Sequence, residues 1–148
     1  MNMSITGTVS YTYTGDSIDV KKIHQDLDIL DSTYIEKGQV VQSKRIAKTN
    51  VWDFSMDFNK ENFNDLLKTH LKTIASKIDI INKHKKFYDG DYVVFFQSNE
   101  AQISLKIDRM NIDMLSELNL DLQISVLSWG LVYDNQGIEH NINELIKD

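Results

Sequence analysis

The amino-acid sequence predicts an α+β fold in which antiparallel strands pack against a long central helix. Residues 5–14 alternate apolar and polar side chains, which is the period of a half-buried strand. Residues 63–81 instead repeat apolar side chains every three or four positions, as in a helix with one buried face. The chain has 148 residues, of which 41% are hydrophobic, and can therefore form a core without disulfide bonds. We expect one domain over residues 1–129 and a C-terminal tail, residues 130–148, that could dock on it.

The first half is expected to contain a strand, a helix and then a strand hairpin. Asp16 or Ser17 is expected to cap the helix. Its apolar stripe comprises Val20, Ile23, His24 and Leu27. Residues 40–46 are predicted to form a polar edge strand, the first strand of the hairpin. The second begins at Val51, and the side chains of its apolar face are Trp52, Phe54, Met56 and Phe58.

The second half begins with the long helix, for which Asn59 or Asn62 is the expected cap. A second capping pattern at residues 76–79 predicts a kink or a break in it. Residues 92–97 and 102–107 are predicted to form another hairpin. A short helix capped by Asn111 and a strand over residues 120–127 should complete the fold. In the tail, a turn is expected at residues 134–137 and a helical turn from Asn143.

A weak internal repeat supports this order of elements. Val9-Ser10-Tyr11 followed by Ser17-Ile18-Asp19-Val20 recurs, at the same spacing, as Ile103-Ser104-Leu105 followed by Asn111-Ile112-Asp113-Met114. Each copy reads as a strand, a capped helix and a returning strand. The repeat predicts a duplicated split βαβ arrangement with the order βαββ-α-ββαβ.

At several spaced positions the sequence resembles a bacterial family, the domain-of-unknown-function family 4279. They are Thr14-Gly15-Asp16, Glu36-Lys37-Gly38, Trp52 at the start of a strand and the segment 115–122. The resemblance covers residues 8–127, and residues 130–148 lie beyond it. It implies a small soluble α+β domain of ferredoxin-like character, with the size and single-domain layout of bacterial immunity proteins. It supplies no catalytic residues to transfer.

Sequence motifs for catalysis and cofactor binding are absent. The chain has no cysteine, which excludes thiolate nucleophiles and cysteine-based metal sites. None of the four histidines has a partner at zinc-ligand spacing, and we interpret His24 and His70 as packing residues. The acidic pairs Asp26/Asp28 and Asp89/Asp91 lack the ligand pattern of a calcium loop. No nucleophile elbow or phosphate-binding loop occurs. We therefore expect no catalytic residues, no metal and no cofactor.

The expected location is the cytoplasm, without membrane contact. The first residues lack the basic and apolar segments of a secretory signal, and no apolar run approaches the length of a membrane span. The basic run of residues 83–86 has no interleaved aromatic residues, so nucleic-acid binding is not expected.

Charge is the most informative surface property. The net charge is −6, and residues 108–148 hold eight acidic and two basic side chains. Such a surface could steer a basic partner, although ordinary solubilising charge is the alternative interpretation. The candidate binding surface comprises Glu36, Lys37, Gly38, Trp52, Asp108, Asp113, Glu117 and Asp121. For Trp52 and Gly38, a core position and a turn are the alternatives.

These observations favour a non-enzymatic protein-binding domain, of the immunity or antitoxin type, that occludes a toxin. The alternative is a small-ligand-binding or sensory domain that uses a pocket between helices and sheet. An enzyme is the third hypothesis, and it would require His24 or His70 beside a carboxylate in a deep pocket. The sequence leaves the partner and the oligomeric state open.

Overall fold

The computed structural model describes residues 5–133 and 139–141. They form a mixed α+β fold built on one six-stranded sheet. In chain order the elements are β1 (Ile5–Gly15), α1 (Val20–Leu27), β2 (Thr33–Ile35), β3 (Asn50–Asn59), α2 (Phe63–Ser76), α3 (Ile78–His84), β4 (Asp91–Glu100), α4 (Arg109–Glu117), β5 (Leu122–Tyr133) and β6 (Glu139–Asn141). No helix among the described residues is long and apolar enough to cross a bilayer.

The strand order in the sheet is β2-β3-β1-β4-β5-β6, so the first strand of the chain lies near its centre. β1 pairs antiparallel with both β3 and β4. β2 is antiparallel to β3, and β6 is antiparallel to β5. β4 and β5 run parallel and are joined by the crossover that contains α4.

The helices cover one face of the sheet. The alternation predicted for β1 and β3 places Val9, Tyr11 and Tyr13 in the core beside residues of the same face on β3 and β4. Those neighbours are Trp52, Phe54, Phe58, Tyr92, Val94 and Phe96. The opposite face has no buried side chain among the described residues, and it carries Val51, Val93, Phe95 and Leu127 beside its polar side chains. On it, Thr8 and Thr12 of β1 donate hydrogen bonds to Asp57 and Asp53 of β3.

The predicted helices form, with differences at their ends. The cap of α1 is Asp19, whose carboxylate accepts from the Lys22 amide at 3.0 Å, and neither Asp16 nor Ser17 occupies that position. The long helix is interrupted at Lys77, which separates α2 from α3 and confirms the predicted break. Two consecutive helices thus replace one long central helix. Asp108, rather than Asn111, precedes the first turn of α4, and Asn111 is buried.

The predicted edge strand at residues 40–46 is wrong. The edge strand beside β3 is β2, and residues 36–48 form a loop that we call the finger. A single bridge joins Val40 and Ile46, which remain 67% and 64% exposed. Residues 40–46 are too polar to offer the sheet an apolar face, whereas Thr33-Tyr34-Ile35 are all strand-favouring residues.

The hairpin predicted at residues 92–97 and 102–107 is also wrong. β4 continues to Glu100, and residues 102–107 contain no strand. The edge of β4 that a hairpin would require is occupied by β5, which pairs with β4 in parallel. Ile103, Leu105 and Ile107 pack against the core from outside the sheet. The duplicated ferredoxin-like arrangement is therefore not confirmed.

The final strand is longer than predicted. β5 begins at Leu122 and continues past position 129 to Tyr133, and β6 pairs with its last residues. Ile124 and Val126 share the helix-covered face but are about half exposed, at 51% and 53%. The turn expected at residues 134–137 and the helical turn expected from Asn143 lie outside the described residues.

Candidate functional site

The predicted binding residues fall into two groups that are far apart along the strand order of the sheet. Glu36, Lys37 and Gly38 directly follow β2, whereas the four acidic residues lie in and around α4, between β4 and β5. Four strand-to-strand steps separate β2 from β5, or roughly 19 Å at the usual strand spacing. The structure does not bring the two groups together.

The first group forms the base of the finger. Glu36 forms an ion pair with Lys21 at 3.2 Å, and Lys37 forms one with Asp16 at 3.0 Å. The hydrogen bond from Lys37 holds the pKa of Asp16 below its ordinary value, and the bond to Glu36 raises the pKa of Lys21. Gly38 has a φ of +89°, the left-handed region, which confirms its role in a turn. The two charged side chains are thus engaged within the protein.

Trp52 belongs to the core. Its side chain is fully buried against Tyr11 and Tyr13, with ring centroids 6.4 and 5.8 Å away. Burial raises the pKa of Tyr11 to about 12 and also raises that of Tyr13. Trp52 therefore presents no contact surface to a partner, and the core interpretation of this residue holds.

The second group is exposed. Asp108, Asp113, Glu117 and Asp121 all face solvent. Only Asp113 has an ion-pair partner in the described part of the chain, Arg109 at 3.9 Å. The start of α4 is fixed to α2 through Asn64, which accepts from the Asp108 amide at 2.8 Å and from the Asn111 side chain at 3.2 Å. α4 thus presents its carboxylates from a fixed position.

Asp121 also lines a cavity of about 490 Å³ where β4 and β5 begin. Asp89 and Asp91 line the same cavity, which we call the acidic pocket. Within the described residues, none of these three carboxylates forms a salt bridge. Lys85 is the basic residue at its wall, and its ammonium group donates to the Asn119 carbonyl at 3.2 Å. The pocket therefore has a negative charge that its own lining does not balance.

The sequence indicated the parts of the acidic pocket but not their association. The Asp89/Asp91 pair and Asp121 each stood out as acidic residues. They come together because β4 and β5 start side by side in parallel, with Tyr92 paired to Leu122. The predicted antiparallel hairpin placed a different strand beside β4 and therefore hid this proximity.

His70 is a packing residue, as predicted. Its ring is fully buried and stacks on Phe54 at 4.4 Å. Nδ1 lies 2.9 Å from the Tyr92 hydroxyl, and Nε2 lies 2.9 Å from the Phe54 carbonyl oxygen. Because a carbonyl oxygen can only accept, Nε2 carries the proton and Nδ1 accepts from the tyrosine. His24 is half-buried against Tyr34, at 4.9 Å between ring centroids.

A second cavity, of about 390 Å³, lies between α1 and α3. We call it the α1–α3 pocket. It is lined by Lys22, Asp26, Ile80, Lys83, His84, Phe87 and Tyr88. One Asp26 oxygen lies 2.8 Å from the Lys22 ammonium and 3.3 Å from His84 Nε2. The hydrogen bond from Lys22 and the contact with His84 lower the pKa of Asp26. No local sequence pattern indicates this site, because Asp26 and His84 are 58 positions apart.

Metal ligands do not converge anywhere in residues 5–133 and 139–141. No group of three or more His, Cys, Asp or Glu side chains there is arranged to hold a metal ion. The chemistry available in the two pockets is charge, hydrogen bonding and apolar contact.

The fold and these pockets define a single-sheet α+β domain with helices on one face and an acidic pocket at the parallel strand pair. The chain belongs to the family described as Domain of unknown function (DUF4279), whose model matches residues 5–129. No curated protein and no solved structure matches the chain significantly.

Proposed function

We propose that this protein is a non-enzymatic binding domain that recognises a basic protein. The acidic pocket would receive a lysine or arginine side chain of the partner, and the exposed carboxylates of α4 would contact the surrounding surface. The protein would act as an immunity or antitoxin factor that occludes a basic toxin domain.

The observation that carries this proposal is the uncompensated charge of the acidic pocket. Three carboxylates line one cavity without a salt bridge in the described part of the chain. A cationic side chain in this cavity would gain attraction without breaking an existing ion pair. The net charge of −6 would also accelerate the encounter with a basic partner.

A capture experiment with matched variants tests the proposal. Tagged wild-type protein, D89N/D121N and the control D28N/D31N are incubated with source-cell lysate at low and high salt, and bound proteins are identified by mass spectrometry. The control removes the same charge from the loop before β2, on the opposite side of the sheet. We expect one basic protein in stoichiometric amount, weakened by salt and lost in D89N/D121N alone. An empty wild-type bait, or equal capture by both variants, would contradict the proposal.

Protection assays connect binding to the immunity role. Co-expression of this protein with the captured partner should restore growth if the partner is toxic, and D89N/D121N should fail to restore it. A partner that is not toxic would leave the binding function standing and remove the immunity interpretation.

The alternative function is the binding of a small ligand. It is favoured by the α1–α3 pocket, whose volume of about 390 Å³ falls within the usual range of small-molecule sites. A thermal-shift screen of metabolites and metals tests this alternative, and an unchanged melting temperature across the screen would count against it.

A further inference from the structure

Phe87 is an exposed aromatic residue on a well-defined turn. Its side chain is 83% exposed, while its backbone amide and that of Tyr88 donate to the His84 carbonyl at 2.9 and 3.0 Å. The turn therefore fixes the backbone at Phe87, whose side chain is one of those that line the α1–α3 pocket. Aromatic side chains that line a pocket are a usual source of apolar contact for a small ligand.

The pocket combines this apolar rim with a polar floor. Ile80, Phe87 and Tyr88 supply the apolar lining. The Tyr88 ring packs edge-to-face against the buried Tyr13 ring, with 5.3 Å between ring centroids. Its centroid also lies 5.3 Å from that of the His84 ring. The His84 side chain is only 8% exposed, so the floor is built into the core.

The charges of the pocket determine what it can bind. Asp26 already has Lys22 and His84 as partners. Lys83 also lines the pocket, and it forms no salt bridge with any residue that the structure describes. The available charge is therefore a single positive one, beside an apolar surface.

We propose that the α1–α3 pocket binds a small monoanion with a ring-sized apolar body, of the aryl carboxylate class. The carboxylate would pair with the Lys83 ammonium group, and the ring would pack against Phe87 and Tyr88. A cationic ligand is disfavoured because Asp26 has no free charge to offer. This inference rests on the alternative function and names its ligand class, and it is independent of the acidic pocket.

Three probes of similar size separate the possible ligand classes. ¹⁵N-labelled protein is titrated at about pH 7 with phenylacetate, 2-phenylethanol or phenethylamine, which are anionic, neutral and cationic there. Phenylacetate should produce saturable shifts in the amide signals of residues 22–26 and 80–88. The other two probes should bind about fivefold more weakly, or not at all.

Variants locate the binding site. Lys83→Glu should weaken phenylacetate about tenfold, because it replaces the attraction by repulsion, whereas the control Lys86→Glu should change it by less than about threefold. Phe87→Ala should also weaken binding, with the fold unaltered because the ring is exposed. Both charge variants should still unfold cooperatively, although Lys83→Glu should lower the melting temperature by a few degrees because it puts an acidic residue in the last turn of α3. Cooperative unfolding above the titration temperature excludes loss of folding as the cause.

Several results would overturn the inference. They are the absence of saturable shifts with phenylacetate, equal effects of Lys83→Glu and Lys86→Glu, and tighter binding of phenethylamine. If the metabolite screen identifies a ligand of another class that shifts the same amides, the alternative function stands and only this ligand class fails.

Discussion

His70 is fully buried, yet both of its ring nitrogens have hydrogen-bond partners at 2.9 Å. Protonation of Nδ1 would replace the bond from the Tyr92 hydroxyl by a contact between two donors, unless that hydroxyl turned away. Burial also disfavours the charged imidazolium, and it lowers the pKa of His70 below the ordinary 6.5. The same partners that make His70 a stable core residue therefore make it unsuited to proton transfer.

His70 should make folding stability depend on pH. Because its pKa is lower in the folded state, the unfolded state binds the proton first as the pH falls. The contribution of His70 to stability should be complete above about pH 6.5 and should decrease below it, toward the folded-state pKa. Urea unfolding at several pH values measures this change. The variant His70→Gln should be less stable at neutral pH but should lack this part of the pH dependence.

Nitrogen NMR supplies an independent check of the same residue. Long-range ¹H–¹⁵N spectra at neutral pH should show the tautomer protonated at Nε2. The opposite tautomer, or an unchanged pH dependence in His70→Gln, would contradict the hydrogen bonding described here.

Single residues also show where sequence reasoning reached its limit. His70 could be identified as a packing residue because Leu67, Leu71 and Ile74 of the same helix form an apolar stripe with it. Such a stripe can be recognised from the sequence alone. Asp26 and His84 are 58 positions apart, and no local pattern links them. Their contact depends on how α1 and α3 pack, so this site could be found only in three dimensions.

Gly7 of β1 lies where the central strands leave no room for a side chain. A Cβ atom at this position would overlap the carbonyl oxygen of Phe95 on β4, and it would lie 2.6 Å from the Phe58 ring. Backbone atoms of a paired strand cannot move aside as a surface side chain can. Glycine is therefore required here by the contact between strands.

Gly7→Ala should destabilise the protein by about 1–3 kcal/mol, the usual cost of overpacking. Gly15→Ala is the matched control, because its Cβ would meet only the γ2 methyl group of Ile18, at 3.3 Å. The free energies of unfolding from urea titration measure both changes. If both variants lost the same free energy of unfolding, the contact between Gly7 and β4 would not be the reason for glycine at this position.

Secondary structure was predictable where a pattern was long and local. Apolar and polar residues alternate over residues 5–14 in β1 and over residues 52–59 in β3, and the capping pattern at residues 76–79 correctly indicated the break at Lys77. β2 has three residues, too few for a period to be recognised. Residues 102–107 alternate like a strand, but whether a segment joins a sheet depends on a free neighbouring edge, and β5 occupies that edge.

The finger contributes little to the core of the molecule. Residues 37–40 and 42–46 are exposed, and the finger holds four basic residues against one acidic residue in an otherwise acidic chain. Its tip has Ser43 and Lys44 at φ of 65° and 59°, which glycine or asparagine would adopt more readily. The fold therefore does not require these residues.

Removal of the finger should leave the fold intact. In the register of the β2–β3 pair, Ile35 lies opposite Val51, so an Asn-Gly turn in place of residues 37–49 would close a two-residue hairpin between Glu36 and Asn50. The unfolding free energy should change by no more than about 1 kcal/mol, because the shorter loop offsets the loss of the exposed Lys37–Asp16 ion pair. Chemical denaturation measures the change, and loss of cooperative unfolding would contradict the expectation.

At the scale of the whole molecule, the class of fold was predictable and the strand order was not. Composition and hydrophobic periodicity depend only on residues that are near one another in the sequence. They correctly indicated an α+β domain. The parallel pairing of β4 and β5 depends on a crossover of more than twenty residues, from Glu100 to Leu122. The acidic pocket forms because β4 and β5 pair in parallel. Since local sequence patterns did not predict this pairing, they could not predict the pocket either.

The central position of β1 has a consequence for how the chain folds during synthesis. β1 is made first, but its two neighbours are residues 50–59 and 91–100. Until Glu100 has left the ribosome, at least one edge of an already formed strand has no native partner. Any nascent chain from which Glu100 has not yet emerged therefore exposes backbone pairing groups of β1, and such an unpaired edge can join other nascent chains.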